Sequence, residues 1–210
     1  SLVESTMYQG HLYTLPDSFN AGSMFYSTEL FDKAGLARPA ADWSMDDFHS
    51  SAERLAKIGS GTYAFDWVVR LWGSWTSFLY ANDGNLLQEG KYSGGDWLWK
   101  SKAFADNPLG VTGRKGGWKW GDPTANSDAA VEALEYVIEL QKSGASPSPD
   151  VGGGATLQGL MSSGRIGTTI GGGFWAGGLH NAGMRNGSFD VVEFPTWKSN
   201  KSLFGAGGYG

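Results

Sequence analysis

The residues of this chain best suited to chemistry lie between 164 and 179, in the run Gly-Arg-Ile-Gly-Thr-Thr-Ile-Gly-Gly-Gly-Phe-Trp-Ala-Gly-Gly-Leu. Three consecutive glycines, ending at Gly173, let the backbone turn tightly and leave its N–H groups uncovered, and two large rings, Phe174 and Trp175, follow at once. If a helix starts near Ala176, its first unpaired N–H groups share the space of the indole, so apolar surface and hydrogen-bond donors are offered together. Such a pairing suits a ligand that carries hydroxyls. The competing reading is a strand end whose Trp175 plugs a core, as Trp commonly does.

Other chemistries find no matching pattern. His11, His49 and His180 lie far apart with no metal-ligand spacing. The absence of cysteine removes disulfides, thiolate zinc sites and a thiol nucleophile. No Gly-x-Ser-x-Gly elbow is present, residues 110–117 lack the Gly-Lys-Ser/Thr ending of a phosphate loop, and Gly171, Gly172 and Gly173 lack dinucleotide-binding spacing. Carboxylates fall mostly at helix starts and on solvated helix faces, where capping accounts for them; a glycosidase pair has no distinctive spacing by which to find it. The expectation is therefore a protein that binds rather than catalyses, with no metal and no cofactor.

Composition narrows the partner. A net charge of -5 with 18% charged residues gives no polycationic surface, which argues against nucleic acid. No apolar run approaches the ~20 residues of a membrane span. With 33 Gly the chain is rich in tight turns, and 10 Trp supply more rings than a core of 210 residues needs. Some rings are therefore expected at a binding surface, and sugars favour such surfaces because their C–H faces lie on aromatic rings while their hydroxyls take polar partners.

The elements that must position these residues follow in order. Residues 10–16 read as a strand ended by Pro16, residues 17–22 as a polar loop, and Met24, Phe25 and Tyr26 as a second strand. Ser27 then caps a helix over residues 28–34, closed by Gly35. Ser44 and Asp47 form a capping-box start for a helix that buries Phe48, Ala52 and Leu55. Residues 63–79, with Trp67, Trp72 and Trp75, read as a mostly buried helix that ends in a turn around Asp83. Residues 88–121 show no clear periodicity and read as a long irregular segment. A second secure helix starts at Ser127 and places Val131, Leu134, Val137 and Ile138 at helical spacing until Gly144. Thr156 caps a short helix with Leu157, Leu160 and Met161 inward, and residues 165–170 and 189–194 read as strands. The chain lacks an initiator Met and ends in a glycine run, so it reads as a mature chain or a piece of a longer one.

This order of motifs resembles the extracellular solute-binding proteins of family 1, the sugar-binding components of bacterial ABC importers that include maltose-binding protein. The resemblance is carried by the Gly-His-Leu-Tyr-Thr-Leu-Pro strand, residues 24–36 with Pro39, residues 42–48, and the Asp83-Gly84 turn. Residues 126–136, 160–166 with Gly173, Phe174 and Trp175, and 189–191 with Pro195 complete it. It implies an α/β, periplasmic-binding-protein-like (type II) fold, of which residues 1–210 hold mainly the second lobe of a two-lobe clamp. Residues 92–121 then form an irregular Trp/Gly-rich insertion, and residues 205–210 cross toward the missing lobe. Carried residue by residue, the pattern assigns Trp175 to stack on a sugar, with Phe174 and Gly173 beside it, and Trp72, Trp75, Asp83 and Tyr209 to reach the cleft. Asp83 departs from the pattern, since Asn85 stands where a second glycine is usual; Trp43 falls at a packing position. The implied partners are a carbohydrate and ABC permease transmembrane subunits. The implied location is extracytoplasmic, as a periplasmic protein or a cell-surface lipoprotein held by a lipid anchor on the absent N-terminus. A stand-alone glycan-binding or adhesion module, using Trp97, Trp99, Trp118 or Trp120, remains the alternative.

Overall fold

The computed structural model describes residues 2–67, 75–92, 118–148, 154–201 and 204–209. In chain order the elements are α1 (Leu2–Ser5), β1 (Met7–Tyr8), β2 (His11–Leu12), β3 (Leu15–Ala21), β4 (Ser23–Ser27), α2 (Thr28–Lys33), α3 (Met45–Leu55), β5 (Tyr63–Asp66) and α4 (Trp75–Ala81). They continue with β6 (Leu87–Lys91), β7 (Trp118–Pro123), α5 (Asp128–Lys142), α6 (Gly154–Ser162), β8 (Ile166–Gly171), α7 (Trp175–Asn181), β9 (Phe189–Val192) and β10 (Phe204–Tyr209). The chain divides into two units: Ser1–Asn20, Asn85–Asn126 and Gly205–Gly210 form the first, and Ala21–Gly84 with Ser127–Phe204 the second.

The second unit holds most of the described core. Its sheet has the order β5-β8-β4-β9, with β5 parallel to β8 and β4 antiparallel to both β8 and β9. Successive side chains on a strand point to opposite faces, so Phe25 and Tyr26 sort the helices into two layers. Phe25 packs against Trp175 at a ring separation of 5.8 Å, and Tyr26 against Phe31 of α2 at 5.1 Å. On the Phe25 side, α6 and α7 bury Leu157, Met161, Trp175 and Leu179. Elsewhere in the unit Phe48 of α3 meets Phe65 edge to face at 5.8 Å, Phe65 meets Phe78 of α4 at 5.5 Å, and Phe78 meets Phe194 at 5.0 Å.

Local chemistry sets several helix ends as the sequence implies. Ser27 accepts a hydrogen bond from Leu30 N, and Gly35, Gly144 and Gly164 take φ of +63°, +79° and +70° just past the ends of α2, α5 and α6. At α3 the capping box is complete: Asp47 N donates to Ser44 Oγ at 3.1 Å, and Ser44 N donates to the Asp47 carboxylate at 2.8 Å. Ser44→Ala is expected to lower stability by about 1 kcal/mol, read as a shifted urea midpoint with unchanged slope. The Trp43 indole N–H donates to Glu193 O at 2.8 Å, so this ring packs, as its position implied.

Six expectations need correction. Residues 17–22, read as a polar loop, lie almost entirely in strand β3, and Thr156, read as a cap, lies inside α6. Residues 63–79 are not one helix: Tyr63–Asp66 is strand β5, and the helix is Trp75–Ala81. A strand covered on both faces loses its alternation and cannot be told from a buried helix by period. Pro16 does not end its strand, because β3 runs from Leu15 to Ala21 and, among the described residues, pairs on one side alone, with β10, leaving an edge where a missing N–H costs no ladder bond. The segment 92–121 is not irregular to its end, since Trp118 pairs with Lys91 and Trp120 with Glu89 in the β6–β7 ladder; residues 93–117 lie outside the described residues. Finally, α5 buries Ala130, Ala133, Val137 and Leu140, while Val131, Leu134 and Ile138 are exposed. Small alanines let α4 approach closely, and the Asn82 amide reaches Ala129 O at 3.0 Å; the bulkier stripe is turned outward.

The first unit is smaller. It pairs β1 with β2 around a turn at Gln9 and Gly10, continues β1 into the β7–β6 ladder, and sets β10 beside β3. Met7 is its buried apolar centre, with Val3 and Leu12 against it, and Lys91 pairs with the nearly buried Glu4 at 3.0 Å.

Candidate functional site

Because β5 and β8 are parallel, their C-terminal ends share one edge of the sheet, and β4 begins at that edge with Ser23 opposite Gly171. In α/β sheets the carboxyl ends of the strands are where ligands bind. Here the edge carries the end of β5, Asp66 followed by Trp67, and the end of β8, Gly171 followed by Gly172, Gly173 and Phe174.

The turn after β8 separates its two rings. Trp175 N donates to Gly172 O at 2.9 Å and the chain enters α7 directly, with Phe174 already at helical angles (φ -67°, ψ -14°). Adjacent residues of a helix point about 100° apart, so only one ring can face the core. Trp175 does, at 0% exposure, while Phe174 is 59% exposed. The close fit depends on Gly171: a Cβ there would lie 2.6 Å from the indole and 3.0 Å from Phe25. The core-plug reading therefore describes Trp175, and the ring presented to solvent is Phe174. The Trp175 Nε1–H is buried without a hydrogen-bond partner, so the indole is held by packing alone.

Asp66 and Trp67 belong to this edge and were not singled out by the sequence. Asp66 is fully buried, accepts from Trp67 N at 2.8 Å through its carboxylate, and its carbonyl accepts from Thr169 Oγ1 at 2.8 Å. Trp67 is 8% exposed, with a buried indole N–H that lacks a partner. The signal was a carboxylate directly after Tyr63, Ala64 and Phe65, an unusual residue to close a buried apolar run.

Of the remaining expected residues, Trp75 and Asp83 lie at the two ends of another element of the second unit, α4. Trp72 lies outside the described residues, and Tyr209 is the last residue of β10 in the first unit. Trp75 opens α4, half-buried, and Asp83 follows the other end of that helix, roughly 12 Å further along its axis. Asp83 adopts φ +58° and its carboxylate accepts from Lys201 Nζ at 2.7 Å. Nearby, Glu132 accepts from Lys198 Nζ at 2.7 Å and from the Asn82 amide at 2.9 Å, while Lys198 N and Ser199 N donate to Ala81 O. The hydrogen bond from Lys201 holds the Asp83 carboxyl below its usual range, and Lys198 with Asn82 does the same for Glu132. A lowered folded-state pKa stabilises above the unfolded value and is lost as pH falls through the folded one. Urea midpoints are thus expected to drop as pH falls below about 4, and Lys201→Met should flatten that slope; an unchanged slope would remove Asp83 from the network's acid response.

Among the described residues no group of three or more His, Asp or Glu is placed to hold a metal, and no helix is long and apolar enough to cross a membrane.

Comparison with known proteins points to one class. No family model matches the chain. A protein of Brucella abortus (strain 2308), named as a binding protein, is 31% identical over 65 residues, 31% of this chain and 15% of that one. Solved structures match nearly throughout. An ABC transporter solute-binding protein of Thermotoga lettingae, bound with alpha-D-tagatose, superposes with a TM-score of 0.69 at 19% identity over 98% of this chain and 46% of its own. An ABC substrate-binding protein of Listeria monocytogenes in complex with cycloalternan gives 0.70 at 22% over 99% and 45%. A maltose-bound MalE3 of T. maritima gives 0.66 at 16% over 99% and 46%. The chain has the α/β fold of the ABC transporter solute-binding proteins, as its motif order implied, and spans less than half the length of these solved structures.

Proposed function

We propose that this chain is part of the substrate-binding component of a bacterial ABC importer, that it carries a carbohydrate, an oligosaccharide by preference, and that it delivers this ligand to permease transmembrane subunits. The observation that carries the reading is Phe174, a largely exposed ring on the carboxyl edge of the sheet, directly after three glycines. An aromatic face of this kind takes the C–H face of a pyranose, and hydroxyls at its rim take polar partners. The fold and the sugar ligands of the solved neighbours support the same class. The second unit corresponds to the second lobe of the clamp, and closure of the rest of the protein over the edge would exclude water from the ligand. The protein acts as an extracytoplasmic carrier, periplasmic or held at the cell surface as a lipoprotein, without catalysis.

The test is calorimetric titration of the complete protein with a panel of mono- and oligosaccharides. Saturable binding of at least one sugar is expected, with much weaker binding by the 210-residue chain, because half the contacts and most of the desolvation are missing. Silence across the panel overturns the reading. Equal affinity of the isolated chain would favour the stand-alone glycan module instead, with the exposed Trp120 of β7 as its ring.

A further inference from the structure

Two dipeptides of the chain, Asp83-Gly84 and Asn186-Gly187, set a side-chain carbonyl carbon beside a glycine N–H. Attack of that nitrogen on that carbon closes a five-membered succinimide, an intramolecular reaction governed by whether the two groups are free to meet. The structure treats the two dipeptides oppositely. At the first, Gly84 N donates to Leu79 O at 2.9 Å, Gly84 is packed against Leu79 and Ala129, and the Asp83 carboxylate is held by Lys201. Its nucleophile is occupied and its carbonyl carbon is an ionised, unreactive carboxylate. At the second, Asn186 is exposed and Gly187 stands in open space with φ +83°. Ser188 N donates to Arg185 O at 3.1 Å, so residues 185–188 form a β-turn with Gly187 at the third position, where a positive φ calls for glycine. Among the described residues neither the Asn186 side-chain amide nor the Gly187 N–H has a hydrogen-bond partner.

We propose that Asn186 is a site of spontaneous covalent modification. Gly187 N forms a bond to Asn186 Cγ, the Cγ–Nδ2 bond breaks, and ammonia leaves carrying the proton given up by the Gly187 amide. Water then opens the succinimide at either carbonyl, giving aspartate or isoaspartate and one added negative charge. The turn is also a fastening point: Thr28 Oγ1 donates to Gly187 O at 2.7 Å and Thr28 N to Ser188 O at 3.1 Å, both at the start of α2. Isoaspartate inserts a methylene into the main chain just before Gly187. Both bonds are thereby displaced, immediately ahead of the Ser27–Phe189 pairing of β4 with β9. Isoaspartate formation therefore loosens α2 as well as changing charge, whereas the aspartate product changes charge alone.

The experiment is incubation of the folded chain at mildly alkaline pH, followed by peptide mass mapping and labelling with an isoaspartyl methyltransferase. The peptide containing Asn186 is expected to gain the mass of an amide-to-acid exchange and to take the label, ahead of every other asparagine, while the peptide containing Asp83 stays unlabelled. Asn186→Gln abolishes the signal by removing the five-membered route. Gly187→Ala slows it about tenfold, equivalent to about 1.4 kcal/mol of barrier; should that variant fold poorly at its positive φ, Asn186→Gln decides alone. In the isoaspartate-containing fraction, hydrogen exchange at the Thr28 amide rises. No conversion at Asn186, conversion no faster than at the other asparagines, or labelling of Asp83 at the same rate would overturn the proposal.

Discussion

Trp175→Ala is expected to destabilise the second unit by about 3–5 kcal/mol, the range for truncating a fully buried ring. The indole is completely buried among Phe25, Leu157, Met161, Ile166 and Leu179. Truncation leaves a cavity bounded by the backbone at Gly171 and the ring of Phe25, neither of which can collapse far without disturbing the β4–β8 ladder. Against a total stability of about 5–15 kcal/mol this is a large fraction, worth on the order of 10 °C in Tm. Trp175→Phe separates the causes. It keeps an apolar ring and removes the unpartnered indole N–H, whose burial opposes folding, so its cost should be well under half that of the alanine variant. Urea denaturation of the two variants is the measurement, and a loss below about 1 kcal/mol for Trp175→Ala would return this ring to the surface.

How much of this was legible in the sequence depends on the range of the forces involved. Caps and helix ends at Ser27, Gly35, Ser44 with Asp47, Gly144 and Gly164 are local, a side chain bonding to backbone three residues away or a glycine taking positive φ, and they appear where the residue types imply. The overall α/β fold was legible through the order of several such motifs. What failed was decided by tertiary contact. Tyr63–Asp66 is a strand because it has a parallel neighbour in β8, which no local pattern reports. The inward face of α5 is set by alanines at the contact with α4, although Val131, Leu134 and Ile138 make the stronger apolar period. At the candidate edge the glycine turn and the ring pair were legible as local features, but residue type alone assigned the outward role to Trp175, which the structure buries, while Phe174 is the exposed ring. Size and hydrophobicity favour Trp for stacking, but they favour it equally for burial, and a difference of one residue in where α7 begins decides which ring turns out.

That same difference makes Phe174→Ala the sharper probe of function. The side chain is largely exposed, so its removal should change the stability of this chain by less than about 0.5 kcal/mol. If Phe174 supplies the apolar face for a sugar, the complete protein should nevertheless lose about tenfold or more in affinity, each 1.4 kcal/mol of lost contact counting as one factor of ten. Phe174→Trp should retain or raise affinity, because a wider ring covers more of a pyranose face, whereas Phe174→Leu should fall between, keeping apolar area but not the flat face. Calorimetry with the best sugar of the panel, beside a urea curve for each variant, reads the two effects separately. Unchanged affinity in Phe174→Ala with an intact fold would remove the ring from the site and move attention to Asp66 and Trp67 at the same edge. Lost affinity with lost stability would be a folding defect of the Trp175 kind. The assignment stands only on the combination that burial makes possible here, affinity lost at a position whose removal the core does not feel.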